Sequence, residues 1–147
     1  MKKTKILLLS LFVLFVSVAC AEDDKRIATS ELPTAAQQFI KKYFAKKKVA
    51  LAKVDKELTS TTYEVVFTDG ATVDFNSKGQ WYDIECHKGS VPSALVPSQI
   101  TTYVKANYSG RPIVKLEKQR RGGYEVELSD GLELKFDKNY KLVDLDR

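Results

Sequence analysis

After its first thirty residues this chain states one pattern twice. Leu32-Pro33 precedes Ala36, Phe39, Ile40, Tyr43 and Phe44, which fall at helical spacing. Sixty-four positions later Val96-Pro97 precedes Ile100, Tyr103, Val104 and Tyr108 in the same phase. Tyr63-Glu64-Val65, Asp69-Gly70 and Phe75 then recur at an offset of 61 as Tyr124-Glu125-Val126, Asp130-Gly131 and Phe136. A repeat of that length is one supersecondary unit used twice.

Within each copy the periodicity changes from 3.6 to 2. The first helix is expected from about Pro33 to Lys46, where proline costs nothing because a first-turn N–H lacks a partner anyway. A strand over Val49 to Glu57 follows. Tyr63, Val65 and Phe67, then Ala71, Val73 and Phe75, alternate with polar residues as half-buried strands do. Asp69-Gly70 reads as a two-residue hairpin turn. Asn76-Ser77-Lys78-Gly79 reads as a turn with Gly79 left-handed. Trp81 to Glu85 closes the copy, with Tyr82 and Ile84 inward. In the second copy the helix spans Pro97 to Asn107 and a strand runs from Ile113 to Gln119. The inward sets there are Tyr124, Val126 and Leu128; Leu132, Leu134 and Phe136; and Val143 with Leu145. Tyr140 stands where the first copy has Gly79, so Asn139 is expected to take the left-handed conformation.

Burying each large inward side chain contributes about 1.5–3 kcal/mol, which supports a real core. The fold class expected is α+β: two tandem helix-plus-four-stranded antiparallel sheet repeats, with the helices on the apolar face. The divisions are a signal peptide at 1–21, a polar lead-in at 22–31, a first repeat at 32–86, a linker at 87–95 and a second repeat at 96–147.

The amino terminus has the form of an export signal. Lys2, Lys3 and Lys5 form a positive region, and Ile6 to Val18 is an apolar stretch too short for a comfortable membrane span. Two processing outcomes compete. Ser17-Val18-Ala19-Cys20 resembles a lipobox, which would leave a lipid on Cys20; Ala19-Cys20-Ala21 satisfies the small-x-small rule of ordinary signal peptidase. Either outcome sends the chain out of the cytoplasm, to the periplasm or the outer membrane, with membrane contact only through lipid on Cys20. Without the leader the chain keeps 21 basic against 19 acidic residues, so the high pI gives no case for nucleic-acid binding. Cys86 is then the one thiol left, which rules out an internal disulfide framework.

Catalytic and cofactor signals are missing. His87, the single histidine, adjoins Cys86, and neighbours on a strand point to opposite faces. Neither a zinc set nor a Cys-His nucleophile is supported. Gly122-Gly123 lies between strands with no helix after it, unlike a phosphate loop. The expectation is no enzyme and no cofactor.

What remains is the outward face of the strands. It reads Glu64, Val66, Thr72, Asp74, Trp81, Asp83 and Glu85 in the first copy, and Glu125, Glu127, Glu133, Lys135, Leu142, Asp144 and Asp146 in the second. A solvated face is ordinary for an antiparallel sheet. Yet nine acids against one lysine is lopsided here, and predicts an acidic sheet backed by basic helices. Trp81, phased outward among the acids, has the composition of a binding hot spot.

Leu-Pro, an amphipathic helix ending in an aromatic, then Tyr-Glu-Val, Asp-Gly and Phe, given twice, resembles the beta-lactamase-inhibitor-like, PepSY-like family of exported bacterial proteins. The resemblance covers about residues 27–147 and implies two helix-plus-four-strand units joined into one broad sheet. It implies inhibition or peptide binding without any motif for a target. The function expected is an exported, non-enzymatic protein- or peptide-binding module, in one form an inhibitor. Its contact residues would be Trp81, Glu64, Val66, Asp74, Asp83, Glu125, Glu127 and Glu133. The alternative is a structural envelope lipoprotein with no specific ligand.

Overall fold

A computed structural model describes residues 24–147. The expected signal peptide and Cys20 lie outside the described residues. The elements run β1 (Lys25–Ile27), α1 (Thr34–Tyr43), β2 (Val49–Lys56), β3 (Thr61–Phe67), β4 (Thr72–Asn76), β5 (Trp81–Glu85), α2 (Ser98–Asn107), β6 (Ile113–Lys118), β7 (Tyr124–Leu128), β8 (Glu133–Phe136) and β9 (Leu142–Asp146). All nine strands form one sheet in sequence order, each antiparallel to its neighbours. The two helix-plus-four-strand halves are joined by β5 pairing β6, with Ile84 opposite Leu116. The polar lead-in contributes a strand of its own, β1, beside β2.

Both helices lie on the same face. Phe39 of α1 meets Phe75 edge-on at 5.6 Å, and Tyr103 of α2 meets Phe136 likewise at 5.5 Å. These two pairs occupy corresponding positions in the halves. Val65, Val73, Phe75, Ile84, Leu116, Val126 and Leu134 are fully buried beneath them in one continuous core. Lys41, Lys42 and Lys105 are exposed on the helices. The stretch between the halves is tied down: Val91 is buried, and its N–H donates to the Ile113 carbonyl at 2.9 Å.

The turns explain the register. Phe67 N–H donates to the Ala71 carbonyl at 2.8 Å, so the loop between β3 and β4 has three residues, Thr68-Asp69-Gly70, where a two-residue turn was expected. An even-length loop would have paired an inward residue with an outward one, whereas the odd loop sets Val65 opposite Val73. Gly70, at φ +88°, is the one loop residue in the left-handed region, which fits a three-residue loop and not a type I′ turn. In the last turn Tyr140, at φ +60°, is left-handed, and the expected Asn139 is not. Asp137 Oδ1 accepts from Asn139 N and Lys141 N at 2.8 and 2.9 Å, while the Tyr140 ring stacks on Tyr124 at 6.0 Å. The packed ring and the capped loop hold a non-glycine residue there.

Two inward assignments fail for one reason. Asp74 is opposite Asp83, but Phe75 is opposite Trp81, so β5 holds one extra residue, Tyr82. This β-bulge shifts the alternation by one. Trp81 therefore turns towards the helix, 6.2 Å from Phe39, and Tyr82 turns to the open face beside Thr62, Glu64 and Asp74. The same irregularity falls between Lys135 and Phe136 opposite β9. Leu142, expected outside, packs against the core, while Val143, expected inside, is the extra residue and is 62% exposed. Leu145 keeps the expected face, opposite buried Leu134, and is 56% exposed because β9 is the edge of the sheet.

Candidate functional site

The open face is organised in rows that cross the strands. Register places Lys53, Glu64, Asp74, Asp83, Glu117, Glu125, Lys135 and Asp144 directly beside one another on successive strands β2 to β9. The adjoining row is Leu51, Val66, Thr72, Glu85, Lys115, Glu127, Glu133 and Asp146. In the first row β3 to β7 each contribute a carboxylate, with Lys53 and Lys135 as bookends.

Like charges on directly opposed residues destabilise a sheet. Glu64 is opposite Asp74, Asp74 opposite Asp83, and Glu117 opposite Glu125. Three lysines relieve part of this. Lys53 Nζ lies 2.8 Å from Glu64 and 3.5 Å from Asp24. Lys115 Nζ lies 3.2 Å from Glu85, 3.5 Å from Asp83 and 3.9 Å from Glu117. Lys135 Nζ reaches Asp144 at 3.7 Å and Glu125 at 3.8 Å. Burial opposes the charged form of Lys115, but Asp83, Glu85 and Glu117 outweigh it and hold its ammonium above the ordinary lysine range.

Among the described residues Asp74 has no lysine within ion-pairing distance, and Lys115 acts on it only from further off. Burial, reinforced by the charges of Glu64, Asp83 and Glu85, pushes its carboxyl up to about 7. Burial pushes Asp83 up to about 6, with Lys115 working against Glu117 and Glu85. The Oδ1 atoms of both are buried without a hydrogen-bond partner among the described residues. A small cavity of about 150 Å³, lined by Asp24, Lys53, Asp55, Thr62, Tyr63, Glu64, Asp74 and Tyr82, opens beside Asp74. Burial also raises Glu125, against the pull of Lys135.

The structure thus brings together Glu64, Asp74, Asp83 and Glu125 in one row, and Val66, Glu127 and Glu133 in the next. Trp81 is not among them, because the bulge sends it under the helix. Sequence reading passed over Lys53, Lys115 and Glu117, because it assigned no outward face to the strands now seen as β2 and β6. It also placed Tyr82 on the wrong face. Cys86 is buried and unpaired, with a thiol pushed up by burial; His87 is exposed, 3.2 Å from Glu85. Among the described residues no three Asp, Glu, His or Cys side chains are grouped to hold a metal ion.

The family model described as "Putative beta-lactamase-inhibitor-like, PepSY-like" matches residues 61–144, from β3 to β9. The chain belongs to this PepSY-like family. Three solved structures are similar to it over nearly their whole length. One, described as a "putative calcium-regulated periplasmic protein" of Bacteroides thetaiotaomicron, is 44% identical, with a TM-score of 0.83, covering 86% of this chain and 99% of that one. Two from Bacteroides vulgatus, each described as a "putative periplasmic protein", are 41% and 42% identical, with TM-scores of 0.81 and 0.79. They cover 86% and 84% of this PepSY-like chain, and 99% of their own. No curated protein matches it.

Proposed function

We propose that this PepSY-like protein is an exported, non-enzymatic binding module that captures a positively charged protein or peptide segment on the open face of its sheet. The observation that carries the reading is the row of five consecutive carboxylates, Glu64, Asp74, Asp83, Glu117 and Glu125. Two of them have buried oxygens left without a donor. A cationic segment laid along the row would supply the charge that the fold itself withholds from Asp74. Strands about 4.8 Å apart give the row a span of about 19 Å, the length of roughly six extended residues. Glu127, Glu133 and Val66 in the adjoining row would border the contact.

The family description supports one form of this capture, in which the partner is an enzyme held inactive. The two helix-plus-four-strand halves are read as tandem copies, on the recurrence of Tyr63-Glu64-Val65 as Tyr124-Glu125-Val126 and of the two aromatic helix contacts. The periplasmic relatives support export. Residues 1–21 would be the signal, and Cys20 the lipid acceptor if the lipobox is the site read; the mass of the mature protein decides between the two cleavages.

The test is calorimetric binding of an oligolysine peptide at two salt concentrations. Exposed charge attraction is screened beyond about 8 Å at physiological ionic strength. Affinity should fall with salt, and should be lost when Glu64, Asp74 and Glu125 are amidated together but kept when exposed Glu31 and Glu57 are. Equal loss from both sets would leave a non-specific acidic surface, as a structural envelope lipoprotein would present. Because one relative is described as calcium-regulated, the titration is run with calcium and with chelator; competition by calcium would place both cations on the same carboxylates.

A further inference from the structure

A second polar site lies at the end of the sheet where the halves meet, and its charge is opposite to that of the open face. The pairing of β5 with β6 stops at Asp83 opposite Glu117. Beyond that point β5 continues back through Tyr82 to Trp81, and β6 continues to Lys118, which pairs with Tyr124 of β7 instead. The two strands part, and the fork holds a cavity of about 770 Å³. Its basic lining is Lys118, Arg120 and Arg121; Ser60, Thr62, Asn76 and Tyr82 add hydroxyl and amide groups.

The cations here are placed differently from ordinary surface charge. Lys118 stands at the register position where β2 has buried Val54, since Val54 is opposite Tyr63 and Lys118 opposite Tyr124. Its Nζ sits 3.9 Å from the centre of the Trp81 ring, a cation–π contact. Burial lowers its pKa, and no acid works against that. Neither Lys118, Arg120 nor Arg121 has a carboxylate partner among the described residues. Glu117 also lines the fork, 3.9 Å from Lys115, while Gln119 donates towards Glu125 at 3.5 Å. The fork therefore holds three cations against one carboxylate.

We propose that the fork between β5 and β6 binds a small molecule bearing an oxyanion group, phosphate or carboxylate, through Lys118, Arg120 and Arg121. The planar arginine forks suit two-point contact with either group. The indented cavity, rimmed by Ser60, Thr62 and Asn76, fits a soluble ligand with hydroxyls better than a flat membrane. None of the site's three cations belongs to the acidic row, and Glu117 is the carboxylate the two sites share.

Trp81 is the only tryptophan in the chain, so its emission reports directly on Lys118. The experiment titrates the full mature protein with inorganic phosphate and with citrate, using sodium chloride at matched ionic strength as the reference. A saturable change in emission with phosphate or citrate, absent with chloride, is expected; which of the two acts identifies the head group. Joint replacement Arg120→Gln and Arg121→Gln, both exposed, should leave folding intact and weaken binding by at least about tenfold. An unchanged titration in that variant, or a response no different from chloride, would overturn the proposal. Flotation with phosphatidylglycerol vesicles that needs both arginines, without any response to phosphate or citrate, would overturn it too, in favour of a membrane headgroup.

Discussion

Replacing Asp74 with asparagine should make the protein more stable, by an amount that grows from about pH 4 to about pH 7 and is then constant. The carboxyl ionises near 3.8 in an unfolded chain and near 7 in the fold. Below about pH 4 it is protonated in both states and has no effect on stability. Between about pH 4 and 7 the unfolded chain releases the proton while the fold retains it, so stability falls as pH rises. Above about pH 7 both states are ionised and the full penalty applies. Three units at 1.36 kcal/mol each set an upper bound of about 4 kcal/mol. Asp74 is partly exposed and titrates together with Asp83, so about half of that, roughly 2 kcal/mol, is the expected gain for Asp74→Asn at about pH 8.

Urea unfolding followed by Trp81 emission measures it. Two kcal/mol corresponds to a midpoint shift of about 1 M urea for a domain of this size, with the slope unchanged. At about pH 4 the shift should vanish. An asparagine variant that is no more stable at pH 8, or that gains equally at both pH values, would show that charge crowding at Asp74 is not what the fold tolerates. That result would also remove the main support for a cationic partner.

Other outcomes follow from the same coordinates. Trp81→Ala should cost about 2 kcal/mol in thermal unfolding, less than a fully buried aromatic, because the ring packs on Phe39 while half-exposed; binding of oligolysine should be untouched. Lys115→Met should destabilise by about 2 kcal/mol near neutrality, since Asp83, Glu85 and Glu117 lose their shared cation, and the loss should shrink in acid as those groups protonate. Gly79→Ala should cost more than Gly70→Ala. Both glycines are left-handed, worth about 1 kcal/mol each, but only at Gly79 would the new methyl lie 2.8 Å from Pro33 Cβ and 2.9 Å from Ala36 N.

Most of the scaffold was legible because two signals agree along the chain. The apolar stripe of Phe39 and Tyr103 and the alternation of Val65, Val73, Val126 and Leu134 point to one shared core. The carboxylates of β3, β4, β7 and β8 followed by elimination. Legibility failed where one residue is inserted. Trp81-Tyr82-Asp83-Ile84-Glu85 alternates strictly only with Tyr82 and Ile84 inside, and tryptophan is as acceptable inside as tyrosine, so the pattern gives no sign that the phase breaks at Tyr82. Leu142-Val143-Asp144-Leu145-Asp146 hides its break at Val143 in the same way, since leucine and valine serve equally well inside. Neither strand holds a glycine or proline to mark the bulge. The neighbours of β5 were hidden as well, since strand order is a long-range property that local pattern does not encode.

That one inserted residue bears on both candidate sites. With strict alternation Trp81 would stand among the acids and Tyr82 beneath α1. The bulge exchanges them. Trp81 completes the aromatic packing around Phe39, and Tyr82 joins Asp83 on the open face, where burial raises its phenol. Bulges also twist and bend the strand that carries them. The bend falls where β5 leaves β6, and there the fork opens to admit Lys118 over the freed face of Trp81. In β9 the corresponding extra residue, Val143, lies at the edge of the sheet, where the described residues hold no further strand to part from, and no such fork forms among them. The same local irregularity therefore gives a cationic fork in the middle of the sheet and an exposed valine at its rim, and position in the strand order decides between them.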